Sequence, residues 1–333
     1  MPAIFGLTLA AYLTWVVAST YWSFAPDVSV ASTVQMFIRG ALVVAFSFVI
    51  PQYWRRLTEG YLFGAFVLAI WILIAGEEQY VGRLTLLGGD ENALGLSITV
   101  GFAIAMVRVS ESRAFASIFY LAAATVMGVA TLATGSRTGL VALCVVALIR
   151  ILSRRQRKRA VQLSFMAIGL SALSTFLWRS GRVPERIASF INAGEVTDTR
   201  GSILHLYFSY PDWMIFGVGL NADAYYLQQK AGQFLYVHNL YIGTWVQLGA
   251  IGLALLVGLL AIVGFQAWHS ERRDIWLASV APALVYSMTL PGQTSNVYWF
   301  LIALGVAGNL GSRLATEDLN RRTPRRTTQN AKS

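Results

Sequence analysis

Apolar residues occupy long runs along most of the chain, and short polar stretches separate these runs. Runs of about 20 apolar residues are long enough to cross a bilayer as α-helices. The alternation over segments of about ten residues that marks a membrane β-barrel is not visible. The pattern predicts an all-α polytopic membrane protein. We expect ten transmembrane helices, at residues 3–22, 31–51, 61–76, 92–107, 114–134, 139–152, 159–178, 238–265, 275–291 and 295–311.

Residues 179–237 interrupt this rhythm, because they contain no apolar run of spanning length. A structureless loop of that length is uncommon in a compact protein. Its stretch "ILHLYFSYPDWMIFGVGL" mixes Tyr, Trp and Phe with polar residues, a composition favoured at the headgroup level of a membrane. The sequence therefore predicts helices 1–7 in residues 1–178, an extracytoplasmic cap of short helices at 179–237, helices 8–10 at 238–311 and a disordered basic tail at 312–333.

The composition agrees with a membrane protein. The 333 residues are 56% hydrophobic and 13% charged, and the mean hydropathy is +0.57. A soluble domain carries roughly 25% charged residues. The formal net charge of +10 raises the question of an anionic partner such as nucleic acid.

The distribution of the basic residues answers that question. If both termini are cytoplasmic, eighteen of the 26 basic residues lie on the inner side, including the run "RRQRKR" at 154–159, and seven lie on the outer side. This is the asymmetry that the positive-inside rule describes. We therefore expect an even number of spans, with both termini inside, and no nucleic-acid partner.

Cysteine and histidine are scarce, which limits the chemistry. The single cysteine, Cys144, lies within a predicted span, so one chain can form neither a disulfide nor a cysteine metal cluster. Of the three histidines, His205 and His238 are predicted outside and His269 inside. The inner histidine and the outer ones cannot share a metal ion. We expect no metal and no other cofactor.

Two arginines on the predicted outer face are candidates for binding an anion. Arg137 lies in "ATGSRTGL", where flanking glycines permit close backbone approach and Ser136 adds a hydroxyl donor. The alternative is an arginine that anchors a helix end among headgroups. Arg200 lies in "DTRGSIL", and its planar fork suits phosphate. Its alternative is an ordinary loop arginine paired with Asp198 or Glu195.

His238 and Asn239 stand at the predicted start of the eighth span. An imidazole with its ordinary pKa of about 6.5 can accept a proton near neutral pH, although a structural histidine at a helix start is the competing interpretation. Asn239 is suited to cap the helix and to help fix the imidazole, whereas Asp198 and Asp212 are weaker candidates for orienting it. Gly249 and Gly252, which come after nine intervening residues, would let a neighbouring helix pack closely.

Four of these stretches together resemble the O-antigen ligase family of membrane glycosyltransferases, which includes O-antigen polymerase and protein O-oligosaccharyltransferase relatives. They are "GSRTG" (135–139), "RGSIL" (200–204), "FGVGLNA" (216–222) and "HNLYIGTWVQLGAIG" (238–252). Each motif is weak alone, but all four follow the family's order around one long outer loop. The resemblance extends from about residue 94 to 311. Family members usually have more spans than the ten predicted, and we expect the shortfall at the N-terminal end.

The resemblance implies an enzyme of the bacterial inner membrane with its active site on the periplasmic face. It would transfer a glycan from undecaprenyl diphosphate to an acceptor hydroxyl, on a glycan, lipid or protein, by single displacement with inversion and without a metal. Arg137 and Arg200 match the family's diphosphate-binding arginines, and His238 matches the histidine that assists the acceptor. A polymerase that uses the same donor remains an alternative. A transporter or flippase of a lipid-linked saccharide is a further one, because Arg39 lies inside a predicted span.

Overall fold

The structure, a computed structural model, describes residues 2–80, 83–86, 90–152, 199–269, 273–290 and 295–307. These residues are mostly helical. The helices are α1 (Pro2–Ser19), α2 (Pro26–Ala75), α3 (Glu91–Glu111), α4 (Ala114–Ala133), α5 (Arg137–Leu152), α6 (Thr199–Phe208), α7 (Asp223–Ala231), α8 (Leu240–Trp268), α9 (Arg273–Tyr286) and α10 (Asn296–Ala307). Short 3-10 helices cover Thr20–Trp22 and Pro211–Trp213.

The expectation of an all-α fold needs one correction. Residues Glu77–Tyr80 (β1) and Arg83–Thr85 (β2) form a two-stranded antiparallel hairpin between α2 and α3. The hairpin lies in a predicted outer loop that contains "GEEQ". Its short strands pair with each other, and the register shifts between Glu78 and Tyr80. It leaves the helical architecture unchanged.

Within the described residues, six segments are long and apolar enough to cross a membrane: Ala3–Trp22, Pro26–Ile50, Gln52–Ala75, Asn92–Val109, Phe115–Ala133 and Leu240–Trp268. Each corresponds to a span predicted from the sequence. The predicted spans 139–152 and 295–311 correspond to the shorter apolar helices Thr138–Ile149 and Asn296–Ala307, and the span 275–291 overlaps α9. The predicted span 159–178 and the tail at 312–333 lie outside the described residues. The chain is thus a multi-pass membrane protein.

The second and third spans belong to one helix, α2, rather than to two helices separated by a loop. The ring of Phe300 lies 5.9 Å from the ring of Phe46 and 5.5 Å from that of Tyr61. A straight helix would separate the Cα atoms of residues 46 and 61 by roughly 22 Å, which these two contacts cannot bridge. α2 therefore bends between them, where Pro51 removes a backbone hydrogen bond.

Two hydrophobic cores hold the protein together. The larger one fills the helix bundle around α3, of whose apolar segment 78% is buried, against 28–39% in the other candidate spans. The smaller one lies within residues 199–246 and is built on Tyr207, Trp213 and Tyr226. Tyr207 and Trp213 are 0% and 1% exposed, so they pack inside this core.

The aromatic side chains of this smaller core can be buried because their polar atoms find backbone partners. The Trp213 Nε1–H donates to the Tyr207 carbonyl at 3.1 Å, and the Tyr226 hydroxyl donates to the Tyr210 carbonyl at 2.7 Å. The Tyr207 hydroxyl donates to the Leu235 carbonyl at 2.8 Å. Satisfied hydrogen bonds remove the main cost of burying such groups.

Candidate functional site

The start of α5 is fixed by Ser136. The Ser136 hydroxyl accepts the Gly139 backbone N–H at 3.2 Å, the geometry of a helix N-cap, and donates to the Asn92 Oδ1 at 2.9 Å. The side chain is 4% exposed. Ser136 is thus engaged in positioning the helix that begins at Arg137, and its hydroxyl is already committed to two protein partners.

The start of α8 is fixed by Asn239. Its Oδ1 accepts the backbone N–H groups of Tyr241 and Ile242 at 2.9 and 3.0 Å, which satisfies two amides of the first turn. Its Nδ2 donates to the Met288 carbonyl at 3.1 Å. His238, the preceding residue, is exposed. The backbone directly after His238 is therefore held, while His238 itself is exposed.

The turn Ser287–Leu290 after α9 joins these two helix starts. The Thr138 hydroxyl on α5 donates to the Thr289 hydroxyl at 2.8 Å. The Leu240 N–H at the start of α8 donates to the Ser287 carbonyl at 2.8 Å, next to the Asn239 contact with Met288. The structure thus brings the start of α5 and the start of α8, predicted to carry the arginine and the base, to one end of the bundle.

Gly249 breaks α8, with φ at +70° and ψ at −174°. A Cβ atom there would collide with the Ile215 carbonyl, so only glycine allows the segment after the 3-10 helix to pack against α8. The same segment contains Gly217, at φ +79°, whose own Cβ would collide with the Gln247 carbonyl. The expectation that Gly249 admits a neighbouring helix is therefore wrong, because the neighbour is a loop.

The hydrogen bonds that α8 loses at this break are replaced. The Val218 and Gly219 N–H groups donate to the Val246 and Gln247 carbonyls at 3.0 and 2.9 Å. The Trp15 Nε1–H donates to the Leu248 carbonyl at 2.7 Å. The motifs "FGVGLNA" and "HNLYIGTWVQLGAIG" thus form one substructure, in which a loop and a broken helix satisfy each other's backbone groups.

Gly252 lies one turn beyond the break and does serve close packing. A Cβ atom there would collide with the Leu248 side chain of the same helix and would also lie 3.2 Å from the Trp15 ring of α1. The break at Gly249 and the contact at Gly252 together separate the first nine residues of α8 from its long apolar remainder. The end of α8 that follows His238 is therefore positioned by the loop and by the turn after α9, independently of the rest of the helix.

Of the remaining predicted site residues, the structure describes the side chain of Asp212 alone. Asp212 is exposed, and its Oδ2 pairs with the Lys230 ammonium at 2.9 Å. Arg137 is the first residue of α5 and Arg200 is the second residue of α6, but their side chains and Asp198 lie outside the described residues. α6 is tied to the segment before His238 near its other end, through the contact of Tyr207 with Leu235.

One charged residue next to this site was missed from the sequence. Asp223, the first residue of α7, is 0% exposed. Its Oδ2 accepts the Val237 N–H at 3.1 Å and its Oδ1 accepts from the Gln247 Nε2 at 3.0 Å. Burial raises its pKa to about 6, although the hydrogen bonds from Val237 and Gln247 oppose that rise. In the sequence, nothing near "NADAYY" reveals these partners, because they lie 14 and 24 positions further on.

A second missed feature is a row of exposed aromatic rings that ends two residues before His238. Tyr225 on α7 and Phe234 meet edge to face with centroids 5.1 Å apart, and Phe234 and Tyr236 do so at 5.3 Å. The three are 36%, 45% and 40% exposed. Unlike Tyr207 and Trp213, these rings are available to a ligand that approaches the histidine.

The fold and the site define a multi-pass α-helical membrane protein with polar groups gathered where two helices begin. Residues 119–257 match the O-antigen ligase family (Wzy_C), which confirms the resemblance seen in the motifs and the predicted class of enzyme, a glycosyltransferase. The matched residues include Arg137, Arg200, His238 and the break at Gly249. No curated protein is detectably similar in sequence.

Among solved structures, one chain of a peptidoglycan synthase complex that coordinates polymerization and crosslinking superposes on this protein with a TM-score of 0.47. The two chains share 17% identity, and the superposition covers 92% of this chain and 96% of that chain.

Proposed function

We propose that this protein transfers a glycan from undecaprenyl diphosphate to an acceptor hydroxyl on the extracytoplasmic side of the bacterial inner membrane. The observation that carries the proposal is the shared turn at Ser287–Leu290, which holds the starts of α5 and α8 together. It supports a single site that contains Arg137 and His238. Arg200 joins the proposal through its match to the family's pattern.

The proposed reaction is a single displacement. The acceptor oxygen forms a bond to the anomeric carbon of the donor sugar, and the bond from that carbon to the diphosphate oxygen breaks. The acceptor proton passes to the imidazole of His238, which acts as general base and contributes typically about 10²–10⁴-fold to such a reaction. Attack from the face opposite the leaving group inverts the anomeric centre.

The leaving group requires stabilisation, because negative charge grows on the diphosphate as the glycosidic bond breaks. Arg137 and Arg200 would supply it, since preorganised positive charges at the site of a developing anion lower the barrier directly. Their planar forks can hold two phosphate oxygens at once. This role replaces the divalent cation that many soluble glycosyltransferases use, so the proposed reaction needs no metal.

The exposed rings of Tyr225, Phe234 and Tyr236 would contact the glycan beside His238. Aromatic faces supply apolar area at a small cost in side-chain entropy, and the two tyrosine hydroxyls can bond to sugar hydroxyls. The exposed side chains of α7 near these rings, which include Gln228 and Gln229, are polar rather than apolar. This composition favours contact with a hydrated saccharide over insertion into hydrocarbon.

The decisive experiment measures transfer from purified undecaprenyl-diphosphate glycan in detergent or nanodiscs, with EDTA present. We expect wild-type protein to form product and His238→Ala to lose nearly all activity. The matched control is His205→Ala, at an exposed histidine on α6. Full activity of His238→Ala would remove the base assignment, and complete loss of wild-type transfer under EDTA would end the metal-free mechanism.

The product distinguishes the alternatives. A ligase leaves the glycan on a separate acceptor, whereas a polymerase lengthens the glycan on its lipid carrier. A transporter only moves its saccharide between compartments, so it forms no new glycosidic bond in this assay.

A further inference from the structure

We infer that Asp223 is a positioning residue for His238, because its buried carboxylate holds the backbone of the segment from which the imidazole projects. The inference rests on the proposed function, in which His238 takes the proton of the acceptor. Asp223 itself is 0% exposed and does not touch the substrate in this proposal.

The first support is the place of the hydrogen bond. The Asp223 Oδ2 accepts the N–H of Val237, the residue directly before His238. Val237 is 3% exposed, so this amide has no access to bulk water as an alternative partner. A buried N–H without an acceptor is costly, and a carboxylate acceptor makes a stronger bond than a neutral one. The backbone before the imidazole is therefore fixed in one conformation.

The second support is that three parts of the fold form hydrogen bonds to the backbone or side chains around His238. On the other side of His238, Asn239 binds the Met288 carbonyl and the Leu240 N–H binds the Ser287 carbonyl. Before His238, two residues upstream of Val237, the Leu235 carbonyl accepts from the Tyr207 hydroxyl. The segment Leu235–Leu240 is thus held by α6, α7 and the turn after α9, while His238 remains exposed.

The third support is the link to the break in α8. The Asp223 Oδ1 accepts from the Gln247 Nε2 at 3.0 Å, and the Gln247 carbonyl accepts the Gly219 N–H at 2.9 Å. The Asp223 carboxylate therefore connects the segment Leu235–Leu240, which contains His238, to the point where α8 meets the loop that contains Gly219. A structural acid with no task at the site would not need to join these two motifs.

The charge state of Asp223 affects this hold. Burial raises its pKa to about 6, so the acid is ionised at neutral pH and protonates in a mildly acidic medium. The titratable groups that face it are the hydroxyls of Tyr207 on α6 and Tyr236 on the histidine segment. In the proposed mechanism, the negative charge of Asp223 would also favour the imidazolium that forms when His238 takes the acceptor proton, because opposite charges stabilise each other.

The test compares Asp223→Asn, which keeps an acceptor oxygen but loses the charge, with Asp223→Leu, which loses both. The matched control is Asp212→Asn, at an exposed carboxylate of the same cap that pairs with Lys230. Two readouts need no substrate. Hydrogen exchange reports on the Val237 amide, with peptides from α3 as a measure of the intact fold, and the pH dependence of diethyl pyrocarbonate modification reports on His238.

We expect exchange at Val237 to quicken in the order wild type, Asn, Leu, and the modification profile of His238 to move to lower pH in both variants. For transfer, we expect Asp223→Asn to lower kcat about tenfold, the size of one charge-assisted hydrogen bond, with KM nearly unchanged. Wild-type exchange and an unmoved His238 profile in Asp223→Asn would overturn the inference. An inactive wild-type protein, or a fully active His238→Ala, would instead overturn the proposed function, because the two substrate-free readouts still measure the hold.

Discussion

The hydroxyls of Thr138 and Thr289 form a hydrogen bond of 2.8 Å that joins the first turn of α5 to the turn after α9. Thr138 directly follows Arg137, and Thr289 directly follows Met288, whose carbonyl accepts from Asn239. A path of two hydrogen bonds thus connects the neighbour of the proposed diphosphate-binding arginine with the neighbour of the proposed base. We expect the spacing between these two groups to depend on this path.

This relationship predicts coupled effects in a double-mutant cycle. Thr138→Val and Thr289→Val should each lower kcat/KM, and each should cost about 1 kcal/mol of stability, the net worth of one hydrogen bond. The double variant should lose less than the sum of the two, because the first substitution already removes the bond. Thr125→Val is the control, since that hydroxyl bonds to the Leu121 carbonyl of its own helix. Strictly additive losses in kcat/KM would show that the turn does not link the two helix starts.

The positions of the spans could be predicted well from the sequence, because the thickness of the hydrocarbon core fixes the length of an apolar run. The continuity of α2 could not. Arg55 and Arg56 indicated a loop, but Arg55 pairs with Glu59 one turn further on at 3.1 Å, which allows a helix to continue through charged residues. The pattern of apolar residues shows which segments can cross the membrane, but it does not show such local ion pairs.

The residues of the site were predicted with unequal success for a physical reason. Asn239 and Ser136 cap helices, and capping depends on neighbours within three residues, which a sequence displays. Tyr207 and Trp213 are buried because distant carbonyls accept their polar hydrogens. Asp223 depends on the Val237 amide and on Gln247, which only the fold brings near. Sequence reasoning finds local hydrogen bonds and misses those that tertiary structure creates.

The break in α8 gives a prediction about stability. Gly249→Ala should destabilise the protein by about 3 kcal/mol or more, because the residue has a positive φ and the new methyl group collides with the Ile215 carbonyl. Gly258→Ala on the same helix is the control, as a Cβ atom there meets nothing within 4 Å. Thermal unfolding in detergent, followed by size-exclusion fluorescence, compares the two. Equal melting temperatures would contradict the close packing of the loop on α8.

The proposed electrostatic role of the arginines predicts that charge alone is insufficient. Arg137→Lys and Arg200→Lys should each lower kcat roughly 100-fold, the loss seen when one preorganised donor to a developing anion is removed. Lysine keeps the charge but presents no planar fork. Arg55→Lys, at an exposed arginine that pairs with Glu59, is the control and should retain wild-type kcat. Full activity of both lysine variants would reduce the role of the arginines to that of point charges.

The exposed aromatic rings beside His238 predict an effect on substrate affinity. Tyr236→Ala should raise KM for the glycan substrate several-fold, because the ring would contact sugar, and should leave the melting temperature nearly unchanged, since Tyr236 is 40% exposed. Tyr21→Ala is the control, because this tyrosine is 88% exposed and distant from Tyr236 in the sequence. Melting temperatures in nanodiscs and in detergent, measured without glycan for both variants, separate the roles: a lower melting temperature of Tyr236→Ala in nanodiscs alone, with unchanged KM, would assign the rings to the membrane.

The buried carboxylate of Asp223 predicts how stability depends on pH. Its folded-state pKa of about 6 exceeds the ordinary value of 3.8, so the folded protein binds this proton more tightly than the unfolded chain. Between these two values the unfolded chain has already lost the proton, and the contribution of Asp223 to stability falls as pH rises. The fall amounts to roughly 3 kcal/mol at 1.36 kcal/mol per pKa unit. Above about pH 6 it is complete, because both states are then ionised.

Asp223→Asn removes this titration, so its stability relative to wild type should improve from pH 4 to pH 6 and stay constant above. Melting temperatures in detergent at intervals across this range give the measurement. Asp212→Asn, at the exposed carboxylate paired with Lys230, should show no such rise. If the difference between wild type and Asp223→Asn were the same at pH 4 and pH 7, the carboxylate would not be held in a buried, ionised state, and the hold on the His238 segment would lose its charge-assisted character.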